Sequence, residues 1–130
     1  MRLRLARLPT NLSSPNPVII DELLTLEEVG KQEGVTMMIK MMSDLTKHGR
    51  ESRYLEKLKS SPIWELKSTS RGGQKGGARV YGFLTTEGDA GIVNCEIKDG
   101  DEPDIEKLRT VLVVIQAFKH GIRVFHEVKP

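Results

Sequence analysis

The sequence predicts an α+β fold: two helices ahead of a small antiparallel sheet, and a third helix behind it. Three observations carry that reading. Apolar residues recur at helical spacing between Val18 and His48 and again between Pro103 and His120. Between Ile63 and Lys98 the chain alternates apolar and polar residues in short runs joined by glycine-rich links, the pattern of a locally closed antiparallel meander. The length, 130 residues with 38% hydrophobic, fits one domain that can bury a core without metals or disulfides. Met1 to Pro130 is therefore read as a single domain, irregular over 9–17.

Each element follows in order. Arg2 to Leu8 alternates, with Leu3 and Leu5 on one face and Arg2 and Arg4 on the other, as a short strand does. Pro9 to Pro17 holds three of the six prolines and reads as a loop. A helix spans Val18 to Gly30, starting near Asp21, with Gly30 as its stop. A second runs from Gly34 to His48, its apolar stripe made by Met38, Met41, Met42 and Leu45, with Gly49 behind it as a C-terminal signal. Methionines at that spacing are adaptable core packing rather than a metal box. Tyr54 to Lys59 is a connector. Ile63 to Lys67, Ala78 to Thr85 and Gly91 to Lys98 form the meander. In it Val80, Gly82 and Leu84 share one face and Arg79, Tyr81 and Phe83 the other, while Val93, Cys95 and Ile97 lie together. Pro103 to His120 is the clearest helix, striped by Ile105, Leu108, Leu112, Ile115 and Phe118, with acids at its start and Lys119 and His120 at its end. Ile122 to Val128 is either a last strand or an ordered tail. With helices on one face of the sheet, the other face is left to solvent or a partner.

Several chemistries are excluded. The single Cys95 rules out an internal disulfide or a multi-cysteine zinc site, and its place in an alternating strand marks it as a buried inert thiol. His48, His120 and His126 are too scattered for a metal site, so neither metal nor cofactor is expected. Gly72-Gly-Gln-Lys-Gly-Gly77 lacks the spacing of a phosphate-binding P-loop. No apolar run approaches a membrane span, and the N-terminus lacks the apolar core of a secretory signal, so a cytoplasmic protein is expected.

The net charge of +2 conceals an uneven distribution. Lys47 to Tyr81 carries nine basic and three acidic residues, a local +6, whereas Thr85 to Lys107 carries eight acidic and two basic, a local −6. The basic stretch is either a solvated face or a phosphate-binding surface. Lys67, Arg71, Lys75, Arg79, Tyr81 and Lys98 surround the glycine-rich loop, and in the expected register they converge on one sheet face. Arg provides a planar fork for phosphate and Lys a point charge.

The run Leu45-Thr-Lys-His-Gly49, then Tyr54-Leu-Glu-Lys-Leu-Lys59, Ile63-Trp-Glu-Leu-Lys67, Gly76-Gly-Ala-Arg-Val-Tyr81 and Ile92-Val-Asn-Cys-Glu-Ile-Lys98 resembles the RelE/ParE toxin superfamily, most closely its phage-derived, HigB-like branch. The resemblance covers about Met41 to Lys107. It implies a compact sheet with two helices on one side. It also implies a type II toxin that enters the ribosomal A site, cuts mRNA and is held in check by a cognate antitoxin, often of helix-turn-helix type. Arg79 matches the family's core-strand arginine, which steadies the scissile phosphate. Lys67 stands where a basic residue follows Trp-Glu-Leu, Tyr81 matches the following aromatic, and Lys98 matches the first lysine of a strand-end pair.

In such an endoribonuclease Arg71 and Arg79 would stabilise phosphate charge and Lys67 or Lys75 would act as base, with Lys57 and Lys59 as further RNA contacts. Trp64 is read as a core anchor. The sequence departs from the family in that Lys98 is followed by Asp99-Gly-Asp-Glu102 and no tyrosine follows Tyr81. The general acid is thus unassigned. The alternative reading is a catalytically degenerate relative of phage origin that binds RNA or a protein target.

Overall fold

The computed structural model describes residues 1–68, 77–98, 100 and 102–126. The α+β class holds. Five strands form one mixed sheet in the order β1-β5-β4-β3-β2 (β1 Leu3–Leu5, β2 Leu55–Lys57, β3 Trp64–Lys67, β4 Ala78–Leu84, β5 Ala90–Ile97). Three helices accompany it, α1 Val18–Glu28, α2 Gln32–His48 and α3 Ile105–Lys119. β2 to β5 are antiparallel neighbours, whereas β1 pairs parallel to β5 through Leu3↔Ala90 and Leu5↔Ile92.

Strand alternation divides the core in two. Leu66, Val80, Ala90, Ile92 and Cys95 pack with Ile19 of α1 and with Met38, Met41 and Leu45 of α2. Tyr81, Phe83 and Val93 point the other way, onto Val111, Val114 and Ile115 of α3 and onto Phe125. The face expected to stay open is therefore covered by α3. Three rings seal it: Phe83, Phe118 and Phe125 sit with centroids 5.2–5.8 Å apart, the tilted and offset geometry aromatic rings prefer.

Helix ends follow their local chemistry. Asp104 caps α3 by accepting from the Glu106 N–H at 2.9 Å, satisfying one of the free donors of the first turn. Gly30 and Gly49 end α1 and α2 with φ of 81° and 58°, conformations that cost a side chain energy. α1 begins at Val18 rather than near Asp21 because the Val18 N–H bonds the Ala6 carbonyl at 3.0 Å. The first helix thus starts where the first strand stops.

Three other expectations are corrected. β1 is only three residues long, since beyond it Ala6 bridges Phe125 and the Arg7 N–H turns to the Val124 carbonyl. The segment after α3 is accordingly an ordered tail beside β1 as far as His126; Glu127 and Val128 lie outside the described residues. A bulge between Tyr81 and Gly82 makes Tyr81 oppose Asn94 and Gly82 oppose Ile92, leaving Val93 as the extra residue. Val93 thus faces α3, away from Cys95. Lastly, α3 buries Val111, Val114 and Ile115, while Ile105 is 64% and Leu112 43% exposed. Val111-Leu-Val-Val-Ile115 is apolar all round, so its sequence carries no unique stripe, and the aromatic cluster selects the buried one.

Candidate functional site

Two surfaces concern the predicted functional residues. The first is a polar corner on the α3 side of the sheet. Pairing sets Lys67, Arg79 and Glu96 in one row across β3, β4 and β5, and Glu65, Tyr81 and Asn94 in the next. Lys98 follows at the end of β5. The structure thus brings Lys67, Arg79, Tyr81 and Lys98 to one side of the sheet, as period-two alternation requires. Arg71 and Lys75 lie outside the described residues.

The corner is buried and ion-paired at Arg79 and open at Lys67, whose partner Glu56 is exposed. Arg79 is 2% exposed and pairs with Glu65, itself 3% exposed, through Nη1 to Oε2 at 3.1 Å. Its Nη2 donates to the Gly100 carbonyl at 3.0 Å. Tyr81 is fully buried and donates its hydroxyl to Glu96 Oε2 at 2.6 Å, an oxygen that also accepts the Asp104 N–H. Burial first, and the Glu96 carboxylate second, push the Tyr81 phenol far above its ordinary value, so it stays protonated. Lys67 pairs with Glu56 at 3.1 Å. A lysine base depends on crowding by other cations, and here an anion stands beside it. Lys98 is buried, with Nζ 3.4 Å from the Ser68 carbonyl.

Glu65 is the functional-looking residue that sequence reasoning passed over. It was one of three acids in a basic stretch. The signal was there: on β3 it shares the face of Lys67, and that face meets Arg79 one strand over.

The second surface is the sheet edge formed by β2. Lys57 and Lys59 are exposed there, as are Arg50 and Arg53 on the preceding turn. Lys57 pairs directly with Trp64 in register. Trp64 is half-buried rather than enclosed, and the Arg50 guanidinium carbon lies 5.9 Å from its ring centroid. Neither core cluster includes Trp64, so the core-anchor expectation is not met: the partly buried indole lies beside Lys57 and Arg50. Among the described residues, no ion pair holds Arg50, Lys57 or Lys59.

Outside both surfaces, Cys95 is buried, and burial followed by the nearby Glu22 charge pushes its thiol up to about 12. It is a protonated, unreactive group at neutral pH. Glu22 accepts the Cys95 N–H at 2.9 Å and pairs with Lys107. Desolvation nonetheless dominates and holds its carboxyl above the ordinary 4.5. An acid whose folded pKa is raised binds its proton more tightly when folded. Its stabilising contribution is full below 4.5 and is lost as pH rises through the folded value. Glu22→Gln carries no such proton. The lead of the natural protein over this variant in urea midpoint should therefore shrink between about pH 4 and about pH 7. A lead that grows over that range would contradict the assignment.

Among the described residues no group of three His, Cys, Asp or Glu side chains is placed to hold a metal ion, and no helix is long and apolar enough to cross a membrane. The fold and its two polar surfaces define an α+β protein with a buried ionic corner and a basic, aromatic sheet edge. No protein-family model matches the chain, and no curated protein matches it.

Proposed function

We propose that the chain is a RelE/ParE-type protein of the HigB-like branch that grips single-stranded RNA along its β2 edge and does not cut it. The observation that carries this reading is a contrast in exposure. Arg79, the residue a ribonuclease would set against phosphate, is 2% exposed and paired to Glu65, while Trp64 stays half-open beside Lys57 and under Arg50. Cations that track a backbone, with an aromatic on which a base stacks, form the usual grip on single strands. The superfamily resemblance is supported by the order of elements: two helices ending at His48-Gly49, then strands carrying Trp64 and Arg79, and a last strand with Lys98 directly after it. Under this reading the partners are mRNA on the ribosome, in the cytoplasm, and a cognate antitoxin of helix-turn-helix type.

The lone Trp64 makes the test direct. Titrating a fluorescein-free oligouridylate should quench its emission, and affinity should fall with a log–log salt slope of about −2 if Arg50, Lys57 and Lys59 each meet a phosphate. Trp64→Ala should weaken binding by about 1–3 kcal/mol, and Lys57→Ala should flatten the slope by about 0.7. The RNA should remain intact on a gel. Cleavage that disappears in Arg79→Lys would return the protein to the mRNA-endoribonuclease reading, and a flat salt response would point to a protein target.

A further inference from the structure

β1 covers only half of β5. It pairs with Ala90 to Ile92 and then leaves the sheet, so among the described residues the last part of β5 has no strand on that side. The backbone polarity of this stretch can be read from its bonds. The Lys98 N–H turns inward to the Gly77 carbonyl at 3.0 Å, while the Cys95 N–H turns outward to Glu22. Antiparallel pairs alternate in this respect, so both backbone groups of Cys95 and of Ile97 point away from β4.

A cavity of about 490 Å³ runs along this edge. Its walls are α1, with Asp21, Glu22 and Leu26, and Lys107 of α3 on the far side. Glu22 occupies the position of a missing strand: one carboxylate oxygen accepts the Cys95 N–H as a neighbouring carbonyl would, and the other pairs with Lys107 across the opening. The surroundings are acidic, with Asp21, Glu22 and Glu96 on the lining against the single Lys107.

We infer that this edge is a binding site for an extended basic peptide, which adds to the sheet as a strand alongside Cys95 to Ile97. Main-chain bonds supply the attachment in strand addition, and pockets for alternate side chains supply the selectivity. Here a peptide carbonyl takes the Cys95 N–H from Glu22, and a peptide N–H meets the Cys95 carbonyl. Apolar side chains enter beside Leu26, and lysine or arginine side chains face Asp21 and the released Glu22. An acidic strand would meet like charge at each of those positions. The surface is separate from the β2 edge, on the opposite side of the sheet order, so neither proposal depends on the other.

The test is an amide-resolved NMR titration of the full chain with a capped pentapeptide of alternating lysine and valine. Saturable shifts should centre on Cys95 and Ile97, with slowed hydrogen exchange at the Ile97 amide. Asp21→Lys, an exposed change outside both cores, should weaken the peptide roughly fivefold, and Glu22→Gln should weaken it as well. The glutamate–valine counterpart should bind Asp21→Lys better than the natural protein. Equal binding of the two peptides to the natural protein, shifts that spare β5, or an affinity unchanged by Asp21→Lys would each overturn the assignment.

Discussion

Arg79→Met should destabilise the protein by about 3–5 kcal/mol, because it leaves the Glu65 carboxylate buried without its counter-ion. The two side chains are 2% and 3% exposed and joined at 3.1 Å, so water cannot stand in for the lost partner. Glu65→Leu alone should be comparably damaging, since it strands the guanidinium. The double variant Arg79→Met with Glu65→Leu should recover most of either loss. It removes both charges, and it also removes Arg79 Nε, which has no hydrogen-bond partner among the described residues, a buried donor of the kind that costs about 1–3 kcal/mol. Urea unfolding of the four proteins closes the cycle. Strictly additive losses would mean that the pair is not coupled. The result bears on function as well as stability. A domain is held by roughly 5–15 kcal/mol in total, so loss of activity on truncating Arg79 would register unfolding before it registered chemistry. Arg79→Lys, which keeps the charge, is the variant that separates the two.

The difference between the corner's composition and its state shows where sequence reading stops. Alternation placed Arg79, Tyr81 and Phe83 on one side of β4, and the core clusters agree. The α2 stripe, the hairpin between β4 and β5 and both helix-ending glycines were equally local, and equally legible. What could not be read is what each face meets. The expectation of an open face turned on α3, whose Val111 to Ile115 run is apolar in every direction, so the stripe drawn through Ile105 and Leu112 could not be told from the one that is buried. The parallel pairing of β1 with β5 joins segments far apart in sequence, and nothing in Leu3 to Leu5 names its partner. β2 is three residues long, too short for alternation to register within Tyr54 to Lys59. The site inherited these gaps. Lys67, Arg79, Tyr81 and Lys98 were gathered on the correct side, but the pairing of Lys67 with Glu56 and Arg79 with Glu65, and the bond from Tyr81 to Glu96, depend on strand registers that only the folded sheet sets.

Gly82→Ala should be among the most damaging single changes in the chain, costing at least about 3 kcal/mol and lowering the melting temperature by roughly 10 °C. A β carbon at position 82 would sit 1.9 Å from the Gly91 carbonyl oxygen, 3.0 Å from its carbon and 3.3 Å from the Ile92 α carbon. All three are backbone atoms of the paired strand, so no side-chain rotation relieves the clash. The close approach arises at the bulge, where Gly82 opposes Ile92 one residue out of step with Tyr81 and Asn94. Relief would require β4 and β5 to part at the point that separates the two cores. Gly91→Ala is the informative comparison. Its β carbon would meet ring atoms of Phe125 in the tail and of Phe83 on β4 at 2.9 Å, and side-chain rings can shift where a strand backbone cannot, so the loss should be smaller. Thermal melts followed by circular dichroism rank the pair. Should Gly82→Ala melt at or above Gly91→Ala, the bulge does not force the strands into this contact. Val93 would then lose its reason to face α3, and with it the register that sets Tyr81 against Asn94 and Arg79 against Glu96 would fall.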